Sequence, residues 1–335
     1  MKNLLPLLAL LLCTAAFAQT PITVSNQPGF DATYSDLQTA IDAVDAGSVL
    51  YVHGSGVSYG NITISKQVTL YGPGYLLAEN EISNTFENYQ PAILGTTTIS
   101  DGANGVIIVG LDISILHVQS DNNIISRSII SGCELVGANS NMILNNFFDN
   151  NNEYCGGYAS ICIGSNCSNT LISGNIFRAL NTTVHSITSS ADSSNGTLYS
   201  NTICDNLRVK NFNVRNNVIN SVSYSITDNS AFHNNIIGED ETALNINNNQ
   251  INIDIAPMFV GESLTSSIDN QYQLKPDAAA IGAADDGGDC GAFGGSSPYI
   301  LSGLPNLPTV YQIISPVTTP SSGNMNVTVK AKSNQ

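Results

Sequence analysis

The hexapeptide VRNNVI at residues 214–219 returns as FHNNII at 232–237, an apolar residue, a polar core and an apolar pair. Similar hexapeptides occur upstream. Taking the fourth residue of each as an anchor gives Gly110, Ser128, Asn146, Asn175, Asn201, Asn217 and Asn235, with steps of 18, 18, 29, 26, 16 and 18 residues. Three residues before the anchors stand Ile107, Ile125, Ile143, Ile172, Leu198, Val214 and Phe232, all apolar. Two residues after them stand Asp112, Ile130, Phe148, Phe177, Ile203, Ile219 and Ile237, six of seven apolar. Apolar runs this short, bounded by Asn, Ser and Gly, predict strands rather than helices.

A period near 20 residues predicts a solenoid, because one turn cannot bury its own apolar face and stacked turns share a core. The steps of 29 and 26 residues read as loops thrown out of the stack. Ser35-Asp36-Leu37-Gln38 reads as a capping box, and Leu37, Ala40, Ile41 and Val44 have helical spacing, stopped by Gly47. A short helix there would cover the open end of the first coil. Five of the 12 prolines fall between Pro298 and Pro320, so the end reads as an irregular tail with one last strand in NMNVTVK. The expectation is an all-β, parallel β-helix: signal peptide 1–18, N-terminal segment and capping helix 19–46, coils 47–295, C-terminal tail 296–335.

If the plus-two residues point inward, the plus-one residues point outward. Those are Leu111, Ile129, Phe147, Ile176, Thr202, Val218 and Ile236. They predict an apolar stripe along the outside, a kind of surface that marks an interface. The apolar segment 298–314 is the candidate cover, with a partner protein as the alternative.

Charged residues make up 11% of the chain and the net charge is -16. The acidity excludes a nucleic-acid partner, which needs a basic footprint. MKNLLPLLALLLCTAAFAQT has the charge, apolar stretch and A-x-A site of a secretory signal, too short to span a bilayer. The expected destination is the periplasm, cell surface or extracellular space. Beyond it lie six cysteines, 133, 155, 162, 167, 204 and 290, an even count that favours disulfides over zinc in an oxidising compartment. Cys155, Cys162 and Cys167 share one long step, so a bond among them is expected.

The stretch DLQTAIDAVDAGSVLYVHGSGVSYGNITISKQVTLYGPGY resembles the N-terminal cap and first coils of secreted right-handed parallel β-helix proteins of the pectin-lyase-like superfamily. IDIAPMFVGES and YQLKPDAAAIGAADDGGDCGAFGG are similar to the closing motif of many bacterial members, with Ala256, Ala278 and Ala279 in place of the usual Asp, Ser and Pro. The ending resembles exported proteins of Bacteroidetes. The resemblance, over about residues 33–300, implies the fold. It does not choose an activity, since the superfamily includes lyases, hydrolases, epimerases and non-catalytic adhesins.

Arg127, Arg178, Arg208, Lys210 and Arg215 lie in the repeat, near Asp149, Glu153, Asp192, Asp205 and Asp228 in sequence. No set among them emerges from the anchors as a metal-binding wall, and Asp205 and Asp228 have unlike offsets. Arg208-Val209-Lys210 is similar to the R-x-K of polygalacturonases, without the paired Asp and Gly-His-Gly of that family. Asp285, Asp286 and Asp289 in DDGGD offer oxygen ligands suited to calcium, against the reading of a turn that closes the last coil. No cofactor is required. The function read from the sequence is an exported, non-catalytic scaffold at the cell surface or in the matrix, in contact with polysaccharide or a surface protein. The alternative is a carbohydrate-active enzyme, a polysaccharide lyase or glycoside hydrolase.

Overall fold

The computed structural model describes residues 21–80, 90–149, 159–178, 185–189, 191–223, 229–261, 267–315 and 325–332. The expected signal peptide, Cys155 and Asp228 lie outside them. Two long parallel sheets face each other. The first has ten strands, from Ile22–Val24 through Ser48–Val52 and Val68–Tyr71 to Phe212–Arg215 and Ala231–His233. The second has eleven, from Ile62–Ile64 to Ile236–Ile237. Each coil gives a strand to one sheet and then to the other, so the fold is the expected parallel β-helix.

The core is a pair of facing columns. Leu50, Leu70, Ile108, Ile125, Ile143, Ile172, Leu198, Val214 and Phe232 stand in register in the first sheet. Leu94, Ile113, Ile130, Phe148, Phe177, Ile203, Ile219 and Ile237 stand in register in the second. All are buried in one cluster. Phe148 and Phe177 stack with ring centroids 4.7 Å apart and planes 5° from parallel.

The register corrects the first anchor. Ile108, not Ile107, aligns with Ile125, which places Leu111 opposite Ser128. Ile107 is half-buried on the outer side, and Ile113 takes the inward place assigned to Asp112. The cause is a backbone feature. In each coil the residue before the anchor has positive φ: Gly110 (70°), Arg127 (51°), Asn145 (55°), Gly174 (67°), Ser200 (52°), Asn216 (59°) and Asn234 (52°). Gly110 is that left-handed residue, a conformation Gly and Asn adopt most cheaply. It stands for the first Asn of the Asn-Asn pair, not the second.

The second Asn is buried and spans coils. The Asn146 backbone N–H and side-chain amide both donate to Asn175 Oδ1, at 2.8 and 3.0 Å. The pattern repeats from Asn175 to Asn201, Asn217, Asn235 and Asn249. Each of these amides from Asn146 to Asn235 also donates to a carbonyl of the preceding coil, such as Asn201 to Ile172 O at 2.9 Å. Asn249 is one coil beyond the repeat legible in the sequence.

The N-terminal helix α1 spans Leu37–Ala43 and buries Leu37, Ala40 and Ile41 against the core. Its cap is Asp36, accepting from Thr39 N at 2.7 Å, rather than Ser35. Gln38 instead binds Thr63 N at 2.7 Å and Asp42 at 2.9 Å. The helix already ends at Ala43, before Gly47. A strand at Ile22–Val24 precedes it and pairs with Leu50–Val52, so the stack starts before residue 47. It also stops before residue 295. The last parallel bridge joins Ile236 to Gln250, because among the described residues beyond Asn249 no ladder residue recurs. In the tail, Thr309–Ile314 and Thr328–Lys332 pair as an antiparallel hairpin where one strand was expected.

Replacing Asn201 by Ala takes the acceptor from the buried Asn175 N–H and one acceptor from its side-chain amide, and removes the Asn201 amide's own bonds to Ile172 O and Asn217. The expected loss is about 3 kcal/mol or more, read from urea unfolding midpoints. Asn249→Ala, which takes the same acceptor from both Asn235 donors, should cost a similar amount. A loss at either position within about 0.5 kcal/mol of zero, the range of surface substitutions, would contradict the ladder.

Candidate functional site

The second sheet forks. Phe147–Asp149 pairs with the first half of Ile129–Leu135 and Ala159–Ile163 with its second half, and Ile176–Arg178 and His185–Ser189 extend these two branches. These are halves of two strands interrupted after Asp149 and Arg178, where the two longest steps of the repeat insert their extra residues. Thr202–Arg208 rejoins both halves through a bulge: Ile203 pairs with Ile219 but Asn206 with Ser221. Cys204 and Asp205 occupy that bulge. An extra residue there re-aims its neighbours.

Two outward rows run across the fork. The plus-one row, in its corrected register, is Asp112, Ile129, Phe147, Ile176, Thr202, Val218 and Ile236. Leu111, expected in this row, occupies the anchor place and is buried in the inner core. The apolar members belong to clusters separate from that core. Phe147, Ile176 and half-buried Ile129 pack with Tyr75, Tyr272, Phe293 and Tyr299. Val218 and Ile236 pack with Ile255, Met258, Phe259 and Cys290. The cover is therefore drawn mainly from described residues between 253 and 301, joined by Tyr75 and Leu76, and from the segment 298–314 proposed for it these clusters include Tyr299 and Leu301.

The cover is strapped to the left-handed corner. Asn216 Nδ2 donates to Asp285 Oδ1 at 2.6 Å, Gly291 N to Asn216 O at 2.9 Å, Ala292 N to Thr202 Oγ1 at 3.0 Å. Asn145 Nδ2 then reaches Pro298 O at 2.7 Å and Arg127 reaches Leu304 O at 2.8 Å. Buried Asp269 closes the strap, accepting from Ser267, Asn80, Tyr299 and Ser302 N.

The polar chemistry gathers where the cover meets the plus-three row. Asp149 and Arg178, at the same offset on adjacent coils, form an ion pair at 3.1 Å. Cys204 is next along that row. Asp205 beside it is 8% exposed, and burial pushes its carboxyl up to about 7. Burial and then the Asp149 charge push Asp112 up to about 6. The Tyr272 phenol is also pushed up, mainly by burial and then by Cys204, with Asp149 and Asp205 adding and Arg178 opposing. Cys204, Asn220, Ile255, Phe259, Gln271 and Tyr272 enclose most of a cavity of about 300 Å³ beside this group. Proton-holding carboxyls beside a carboxylate paired with a guanidinium form an acid–base arrangement.

The equal offset of Asp149 and Arg178 was present in the sequence, three residues after Asn146 and Asn175. It was missed because the carboxylates were compared with each other rather than with the basic residues. Asp205 is displaced by the bulge, which no spacing reveals.

The remaining candidates lie elsewhere. Asp285 binds Arg215 at 2.9 Å and Asn216, Asp286 accepts from Gly288 N at 2.9 Å, and Asp289 from Gly282 N at 2.9 Å. These carboxylates fasten the strap and its turns, and among the described residues no group of three His, Cys, Asp or Glu could hold a metal ion. Cys167 is a free thiol, buried in the core and donating toward Ser165 O at 3.7 Å, so it leaves the proposed bridge. Cys133 and Cys290 are also free and buried. Lys210 is ion-paired with Asp192. Among the described residues no helix is long and apolar enough to cross a membrane.

No protein-family model matches the chain. No curated protein matches it. Among solved structures it is similar to the pectin methylesterase from Aspergillus niger in penultimately deglycosylated form, at 12% identity over 79% of this chain and 92% of that one, with a TM-score of 0.21. So loose a likeness has no bearing on the site, and the fold rests on the strand pairing above.

Asp205 holds its proton more tightly folded than unfolded. Its contribution to stability is present below the unfolded value near 4 and is lost as pH rises through about 7. Asp205→Asn should therefore raise Tm at pH 8 by roughly 2–4 °C, and by less than half as much at pH 5, where the loss has only begun. Differential scanning fluorimetry at the two pH values reads this, and an equal shift at both would contradict it.

Proposed function

We propose that this protein is an exported hydrolase acting on a carbohydrate polymer at the forked face of the second sheet. The observation that carries the reading is the buried, proton-holding Asp205 two coils from Asp149, which is paired with Arg178. Two coil steps are roughly 10 Å along the axis. That is near the wider carboxyl spacing that leaves room for a water between acid and sugar. Asp205 gives its proton to the departing oxygen as the glycosidic C–O bond breaks. Asp149 takes a proton from the water that forms the new C–O bond at the anomeric carbon. Arg178 positions Asp149. The carbohydrate class follows from the superfamily resemblance of the first coils and the closing motif, and export from the N-terminal signal.

The scaffold reading has one observation of its own. The Asp149–Arg178 pair joins two adjacent strands and serves as a structural clamp without any substrate.

The two readings separate in one assay. Neutral and acidic polysaccharides are incubated with the protein, with and without calcium, and reducing ends and unsaturated products are scored separately. Hydrolysis predicts reducing ends without unsaturation, with a rate that falls as pH rises through about 7 and the general acid loses its proton. Asp205→Asn and Asp149→Asn should each lower the rate by about 10²–10⁴-fold. Unsaturated product would make the enzyme a lyase. No product on any polymer, or full activity in both variants, would leave the scaffold.

A further inference from the structure

We infer that the cavity beside Cys204 holds one uncharged sugar unit of the polymer, so that the substrate is a neutral glycan rather than a polyuronate. The inference rests on the carbohydrate-active reading of this face, and it adds the substrate class.

The walls carry the argument. Phe259 and Tyr272 meet nearly edge to face, at 5.8 Å between centroids and 70° between planes. With Ile255 they offer apolar surface suited to the C–H face of a sugar ring. Asn220 on the sheet and Gln271 on the cover add two side-chain amides, each able to donate and accept, which suits a pair of neighbouring hydroxyls. At about 300 Å³ the cavity is at the small end of ligand sites. That suits one ring rather than several.

Charge excludes the acidic alternative. Among the described residues, none lining the cavity carries a charge. Arg178, next along the row, is engaged by Asp149, and Asp205 adjoins Cys204. A uronate carboxylate placed here would lose its water without gaining a cation, beside carboxyl groups, in a chain of net charge -16. A neutral ring meets none of these costs. Tyr272, in the cavity wall, lies in the field of Cys204, Arg178, Asp149 and Asp205 alike. The sugar in the cavity is therefore adjacent to the bond under attack, and the cavity reads its identity.

Binding is tested without turnover, by calorimetry on the Asp205→Asn variant with xylotetraose, cellotetraose and tetragalacturonate. At least one neutral tetrasaccharide should bind with a Kd at or below about 1 mM. Tetragalacturonate should bind about tenfold more weakly. Phe259→Ala and Gln271→Ala should each weaken neutral binding by about tenfold. Phe259 is buried and its loss threatens the cover. Gln271 is half-exposed, so its variant keeps the test valid if the first fails to fold. Tetragalacturonate binding as tightly as the neutral sugars would overturn the inference. So would neutral binding indifferent to Gln271, or no neutral binding at about 10 mM. If neutral binding holds while the wild-type protein releases no reducing ends, the hydrolase reading fails and the sugar site stands.

Discussion

The structure depends on a buried amide that must be satisfied from two directions. From Asn175 to Asn235, each ladder Asn places its oxygen against two donors of the coil before it and its nitrogen against both that coil and the coil after it. A buried amide without such partners is expensive, so a coil stacks in one register or leaves several groups unpaired. A slip of one residue would also turn every inward Ile and Phe to the outside. Hydrophobic stacking drives the coils together, and the amide ladder decides how they sit.

The same turn faces outward. In Asn145-Asn146, Asn216-Asn217 and Asn234-Asn235 the second residue builds the ladder. The first, in left-handed backbone, points its amide at the strap. One dipeptide thus bonds the coils to each other and the cover to the coils. This is why an apolar row can exist on the outer side of the coils. The row is a second core, closed mainly by described residues between 253 and 301 and held at the corner.

The architecture was legible because its signal is repeated. Ile125, Ile143 and Ile172 each report the same inward place, so one error does little harm. The error at Gly110 arose because Gly and Asn share the left-handed region and look alike as anchors. Asn249 escaped because Gln250 stands where an apolar residue was expected. The strap was read as further coils because its residues are apolar without being periodic. Its pairing with the outer row is a contact between distant segments, and spacing does not encode that. Helix capping was off by one for a simpler reason: Asp36 and Ser35 can both cap, and only the backbone angle chooses between them.

The site was harder to read because it lies where the repeat fails. A regular coil gives every outward side chain the same neighbours above and below, which suits stacking and leaves little scope for chemistry. Here two strands are split after Asp149 and Arg178, and the next is bulged at Cys204 and Asp205. The breaks gather Asp149, Arg178, Cys204 and Asp205 within the field of Tyr272. With only 11% charged residues, the chain has few charges to answer one another. A carboxyl such as Asp205, raised to about 7 by burial, keeps its proton. The rigid coils on both sides hold that group in place, and the departures from periodicity supply its chemistry.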